Sequence, residues 1–237
     1  MSNQFQRTIS LLGNEKFNIL QNSNVIVFGI GGVGSYAAES LVRAGLANIT
    51  LVDYDVIDIT NINRQIHATT RTVGLPKVSV MKARLLEINP DLNISIYKEK
   101  VDRNNIHDFN LEKYDYIIDA IDMVTSKICL IETSKNLGLN IISSMGAGNK
   151  LDPTKFKVED ISNTKVCPLA KVIRQELKKR NIKDVKVVYS DETPLKINLG
   201  DIDNRKSIPG SISYVPPVVG MIIASEVVKD LTNHMVY

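Results

Sequence analysis

The chain has 237 residues, 43% of them hydrophobic and 23% charged, with a formal net charge of +3. That length suits one large domain with a real core, and so small a charge does not by itself argue for nucleic-acid binding. No window reaches the roughly 18 apolar residues of a membrane span, and the first residues carry no apolar signal segment. The two cysteines, Cys129 and Cys167, supply neither a disulfide framework nor a C-x-x-C zinc pair. A cytoplasmic protein without membrane segments is expected.

In chain order, an apolar run at 25–28 reads as a strand and stops at Gly29. Gly29, Gly31 and Gly34, with Gly32 between, form the G-x-G-x-x-G pattern and open a helix expected at 33–44. A second strand at 49–52 ends in Asp53, and Pro76 suits the first turn of a helix at 76–88. Further strands are expected at 94–97, 116–118 and 140–143, with a helix at 126–137 for which Ser126 is a candidate N-cap. After Gly148 the texture changes, with a turn at 151–153, strands at 156–158 and 185–189, and a helix at 168–180 between them. A polar loop follows at 191–211, and Pro216-Pro217 opens a last helix to about residue 231. This alternation predicts an α/β fold, a doubly wound, mostly parallel Rossmann-like sheet. Residues 1–237 read as one domain, a nucleotide-binding part at 1–150 and a C-terminal extension at 151–237 packed on it.

The glycine loop sits between a strand and a helix, where backbone amides and the helix N-terminus can meet phosphate oxygens. Asp53 follows about 20 residues later, where a carboxylate accepts from ribose hydroxyls. These features alone fit NAD, FAD or ATP. The next stretch discriminates. It brings Asp55, Asn61, Arg64 and Gln65, then Lys77. Two cations beside a phosphate loop suit a triphosphate better than the apolar slot a nicotinamide requires. Asp119 and Asp122 fall at the end of the strand at 116–118; a carboxylate beside a triphosphate implies Mg²⁺, with Asp122 favoured as ligand and a helix N-cap as the competing use. Seven cations between 171 and 186, against Glu176 and Asp184, form either a solvated helix face or a contact for a polyanion.

Gly29-x-Gly31-x-x-Gly34, Asp53-x-Asp55, Asn61-Ile-Asn-Arg64-Gln65, Pro76-Lys77 and Ala120-Ile-Asp122 resemble the ubiquitin-activating-enzyme-like adenylyltransferase superfamily. That resemblance implies Asp53 on the ribose, and Arg64 and Lys77 on the phosphates. It also implies Asn61 and Gln65 along the phosphate region, and Asp122 on Mg²⁺. Phe5-Gln-Arg7 resembles the segment whose arginine reaches a neighbouring subunit's site, implying a homodimer with Arg7 acting in trans. Asn63-Arg-Gln-Ile-His-Ala68, Ser144-Met-Gly-Ala-Gly148, Leu151-Asp-Pro153, Val187-Val-Tyr-Ser190 and Gly210-Ser-Ile-Ser-Tyr-Val-Pro216 are similar to the tRNA threonylcarbamoyladenosine dehydratases of that superfamily. The implied activity is ATP-dependent cyclisation of a tRNA nucleoside through an acyl-adenylate. His67 is then either a proton-transfer aid or a structural histidine. The rival activity within the superfamily is adenylation of a sulfur-carrier protein, and a sulfur-transfer partner stays open. A non-catalytic nucleotide-binding scaffold is the alternative of another class.

Overall fold

The computed structural model describes residues 4–196 and 209–233. Residues 197–208 of the polar loop read at 191–211 lie outside the described residues. The elements run α1 (Gln6–Asn22), β1 (Asn24–Phe28), α2 (Gly34–Ala44), β2 (Asn48–Val52), α3 (Lys77–Ile88), β3 (Asn93–Tyr97) and β4 (Tyr116–Asp119). They continue α4 (Val124–Asn136), β5 (Ile141–Ser144), β6 (Phe156–Asp160), α5 (Pro168–Lys179), β7 (Lys186–Ser190) and α6 (Val215–Leu231).

The strands form one seven-stranded sheet in the order β3-β2-β1-β4-β5-β7-β6. All neighbours are parallel except β6, which runs antiparallel to β7 on the outer edge. The extension after residue 150 therefore lengthens the same sheet. β1 is apolar on both faces because both are covered, as parallel strands between helical layers require. Val25 and Val27 face one core cluster, shared with Leu41, Met81, Val219 and Ile223 of α2, α3 and α6. Ile26 and Phe28 face the other, with Ile131 and Ile173 of α4 and α5. At the carboxyl end of β1, Phe28 lies in register with Val52 of β2 and with Asp119 of β4. The chain leaves β1 in one direction and returns on its other side, which opens a crevice where such sheets bind ligands.

Two local readings change. Ser126 does not cap α4: Met123 holds that position, and the buried Ser126 hydroxyl donates to the Val101 carbonyl at 2.6 Å. Sequence periodicity also missed α1. It is interrupted at Gly13 (φ 78°) and buries only Phe17 and Leu20, too few residues to raise a helical signal.

Candidate functional site

The crevice is a cavity of about 640 Å³, walled by the loops that follow β1, β2, β4 and β5. Its floor at β1 is the glycine loop. Gly29 has φ 87°, and a Cβ there would lie 2.6 Å from the Ala120 carbonyl oxygen. At Gly34 a Cβ would lie 1.8 Å from the Gly29 carbonyl oxygen, so no side chain fits the turn into α2. Bare backbone at Gly31 and Gly32 lines the cavity beside it.

Asp53, at the end of β2, is buried and anchors this floor. One carboxylate oxygen accepts from the Ile30 amide at 2.6 Å and the other from the Asp55 amide at 2.8 Å. Burial raises its pKa, and the Lys77 charge and the two amide hydrogen bonds oppose that shift. Asp55 forms an ion pair with the buried Lys77 at 2.7 Å, which aims the ammonium. The Asn61 side-chain oxygen accepts from the Asp58 amide at 3.1 Å, completing a capping box on the 3₁₀ turn Ile59–Asn61. Three residues on, the Arg64 guanidinium donates to the Thr60 carbonyl at 2.9 Å and faces the cavity. Gln65 is 5% exposed, and its side-chain amide oxygen has no hydrogen-bond partner among the described residues. A buried acceptor left open is costly unless a ligand or water meets it.

The two β4 aspartates have different fates. Asp119 is fully buried, paired with Lys127 at 2.8 Å, and its carboxylate also accepts from the Ser143 hydroxyl and the Ile121 amide. Asp122 stands exposed on the cavity wall. Among the described residues no three His, Cys, Asp or Glu side chains cluster as a metal site. Arg7 is exposed on α1 and does not line the cavity of its own chain. His67 also lies off the cavity. It is 2% exposed, and neither ring nitrogen has a partner among the described residues. Burial lowers its pKa to about 4, helped by the Lys77 and Arg84 charges. It is therefore a neutral, enclosed imidazole at pH 7.

Beyond Asp122 the cavity continues between the loop 144–150, Cys167 to Leu169, and Pro209 to Ser211. Sequence reasoning gave none of these residues a chemical role. Cys167 is buried, reached through Val166, a β-branched residue at φ 62°. The available signals for this wall were the runs Ser144-Met-Gly-Ala-Gly148 and Gly210-Ser-Ile-Ser-Tyr-Val-Pro216.

This arrangement is an α/β protein whose glycine loop, Asp53, Arg64, Lys77 and Asp122 line one cavity together with the loops after β5 and before α6. The chain belongs to the ThiF family, whose model matches residues 3–237. A Bacillus subtilis relative named tRNA threonylcarbamoyladenosine dehydratase is 44% identical over 242 residues, covering 98% of this chain and 95% of the relative. The Escherichia coli protein of the same name is 39% identical over 175 residues, 74% of this chain and 65% of that one. The crystal structure of the Escherichia coli enzyme in complex with ATP superposes with a TM-score of 0.89 at 34% identity, covering 97% of this chain and 94% of that chain.

Proposed function

We propose that the chain is an ATP-dependent tRNA threonylcarbamoyladenosine dehydratase. The observation that carries this reading is the convergence of Asp53, Arg64, Gln65, Lys77 and Asp122 on one cavity, in a chain so similar over its length to dehydratases of that name. Asp53 holds the ribose of ATP, the glycine loop approaches its phosphates, and Arg64 and Lys77 neutralise them. Asn61 and Gln65 line the phosphate path. The wall built by residues 144–150, 167–169 and 209–211 faces the modified adenosine.

The threonyl carboxylate attacks the α-phosphorus of ATP, giving an acyl-adenylate and pyrophosphate. The carbamoyl group of the same nucleoside then attacks the acyl carbon, closes a ring and expels AMP. The net change in the nucleoside is the loss of one water. Both attacks occur between groups already held together, so orientation supplies much of the acceleration and no protein nucleophile is required. Arg64 and Lys77 stabilise the charge that accumulates as pyrophosphate leaves.

Magnesium fits the residues present. Mg²⁺ is commonly held by one or two carboxylates plus substrate phosphates, and Asp122 is an exposed carboxylate on the cavity wall that forms no ion pair among the described residues. Bound there, it would screen the phosphate charge. The protein would work in the cytoplasm as a homodimer, with Arg7 of one subunit reaching the other's phosphates, and with tRNA as its partner. Among the described residues no helix is long and apolar enough to cross a membrane.

The experiment is direct. The protein is incubated with ATP, Mg²⁺ and tRNA carrying threonylcarbamoyladenosine, and the digested nucleosides are weighed. A loss of one water, absent in Arg64→Ala and Lys77→Ala, is expected. An unchanged nucleoside with pyrophosphate released on a small carrier protein would move the reading to protein adenylation.

A further inference from the structure

Lys150 lines the wall of the cavity built by the loop after β5. It follows the glycine-rich run there and is 3% exposed. Its ammonium donates one hydrogen bond, to the Gly146 carbonyl at 2.9 Å, and forms no ion pair among the described residues. An ammonium has three donors, so a buried cation with one neutral acceptor is under-satisfied and costly. Neither nearby acid pairs with it: the Glu192 carboxylate accepts from the Leu151 and Asp152 amides at 3.0 Å each. Burial accordingly lowers the Lys150 pKa, with Cys167 and Glu192 opposing.

Position gives that charge a purpose. The phosphate cations Arg64 and Lys77 come from the segment after β2, while Lys150 comes from the loop after β5. In the sheet, β1 and β4 stand between those two sources, and they carry the glycine loop and Asp122. Lys100, the remaining cation lining the cavity, is exposed at its edge. A carboxylate that must approach a polyanion is repelled by it, and a cation on its own side offsets that repulsion and fixes its line of approach.

We propose that Lys150 binds the substrate carboxylate, the group that attacks the α-phosphate, and holds it against the nucleotide from the side opposite Arg64 and Lys77. This inference rests on the dehydratase reading. It makes Lys150 a substrate-binding residue, and the Gly146 contact its resting position.

The test compares two tRNAs, one carrying threonylcarbamoyladenosine and one with its threonyl carboxylate converted to the methyl ester. Equilibrium binding of each is measured with a non-hydrolysable ATP analogue present, for wild type, Lys150→Gln and Lys150→Arg. Glutamine keeps a donor for the Gly146 carbonyl without the charge. Wild type is expected to prefer the acid by about 10-fold or more, the scale of one charged hydrogen bond. Lys150→Gln should lose that preference while its affinities for the ester tRNA and for ATP stay unchanged, and Lys150→Arg should keep it. A preference that survives in Lys150→Gln overturns the proposal. So does an equal loss for both tRNAs and for ATP, which would mark a residue that only ties its loop. If Lys150→Gln does not fold, loss of the preference in folded Lys150→Arg overturns it as well. Failure of the dehydratase reading is distinguished separately, because wild type would then leave the nucleoside mass unchanged.

Discussion

Two buried lysines near the ends of β4 and β5, Lys127 and Lys150, have opposite surroundings. Lys127 is fully enclosed beneath the end of β4, with Asp119, the Ser143 hydroxyl and the Ser144 carbonyl at 2.8, 3.1 and 2.9 Å. Each of its three donors has an acceptor, and its charge has a counter-charge. Lys150 is nearly as buried but has one carbonyl and no carboxylate. The first arrangement is complete and holds the β4 and β5 ends together. The second is complete only with an anion from outside. For these two lysines, the satisfaction of the buried charge separates a contact of the frame from one left open to the cavity.

The sharpest way to break that distinction is stability. Lys127→Met leaves the Asp119 carboxylate buried without its partner, and such a loss costs about 3–5 kcal/mol. Urea denaturation should show a fall of that size, against a change of less than about 1 kcal/mol for Lys150→Gln, which removes an unpaired charge. Comparable losses in both would mean that Lys150 belongs to the frame too.

Next in size is the phosphate wall. Lys77→Ala and Arg64→Ala should each lower kcat/KM by about 10²–10³, the usual result of deleting one preorganised charge-stabilising group. Asp55→Asn should lose less, because Asp55 positions Lys77 at 2.7 Å and Lys77 itself remains. An Asp55→Asn enzyme as slow as Lys77→Ala would assign the carboxylate a direct part in the reaction.

A third contrast lies just off the cavity, at His67. Its imidazole titrates near 6.5 when unfolded and at about 4 when folded, through burial and the Lys77 and Arg84 charges. As pH falls below 6.5 the unfolded state takes up the proton first, so stability declines down to pH 4 and not further. The full loss is on the order of 3 kcal/mol, from 1.36 kcal/mol per pKa unit. Denaturation midpoints between pH 7 and 4 should flatten in His67→Gln relative to wild type, and parallel curves would show that His67 does not carry the slope.

Much of this was legible in the chain. The β1 run from Val25 to Phe28 announces a strand buried on both faces, and the glycines after it leave few alternatives for the turn. That Arg64 and Lys77 line the cavity was legible from their place after the glycine loop and the second strand, taken together rather than one charge at a time. Which of two carboxylates three residues apart faces the cavity was not decidable by spacing: Asp119 is claimed by Lys127 from α4, a contact that exists only in three dimensions. For the same reason Lys150 was silent. Nothing in Gly-Asn-Lys-Leu says that the ammonium turns inward and meets one carbonyl. α1 escaped because a helix docked by two residues leaves little periodicity to read.

The smallest expected effect concerns the basic stretch at 171–186, which the fold divides. Arg174 donates to Thr164, Lys179 and Arg180 pair with Glu176, and Lys186 pairs with Asp230. Lys171 and Lys178 are exposed and form no ion pair among the described residues. They stand two turns apart on α5, whose first residues, Pro168 and Leu169, line the cavity. A tRNA delivering its base to the cavity would lay its backbone near that face. Replacing Lys171 or Lys178 by alanine should weaken tRNA binding modestly and reduce the slope of log affinity against log salt by about 1 each. Lys179→Ala, already neutralised by Glu176, should change the slope less. Equal slopes for all three variants and wild type would place the tRNA backbone elsewhere and leave α5 as a solvated face.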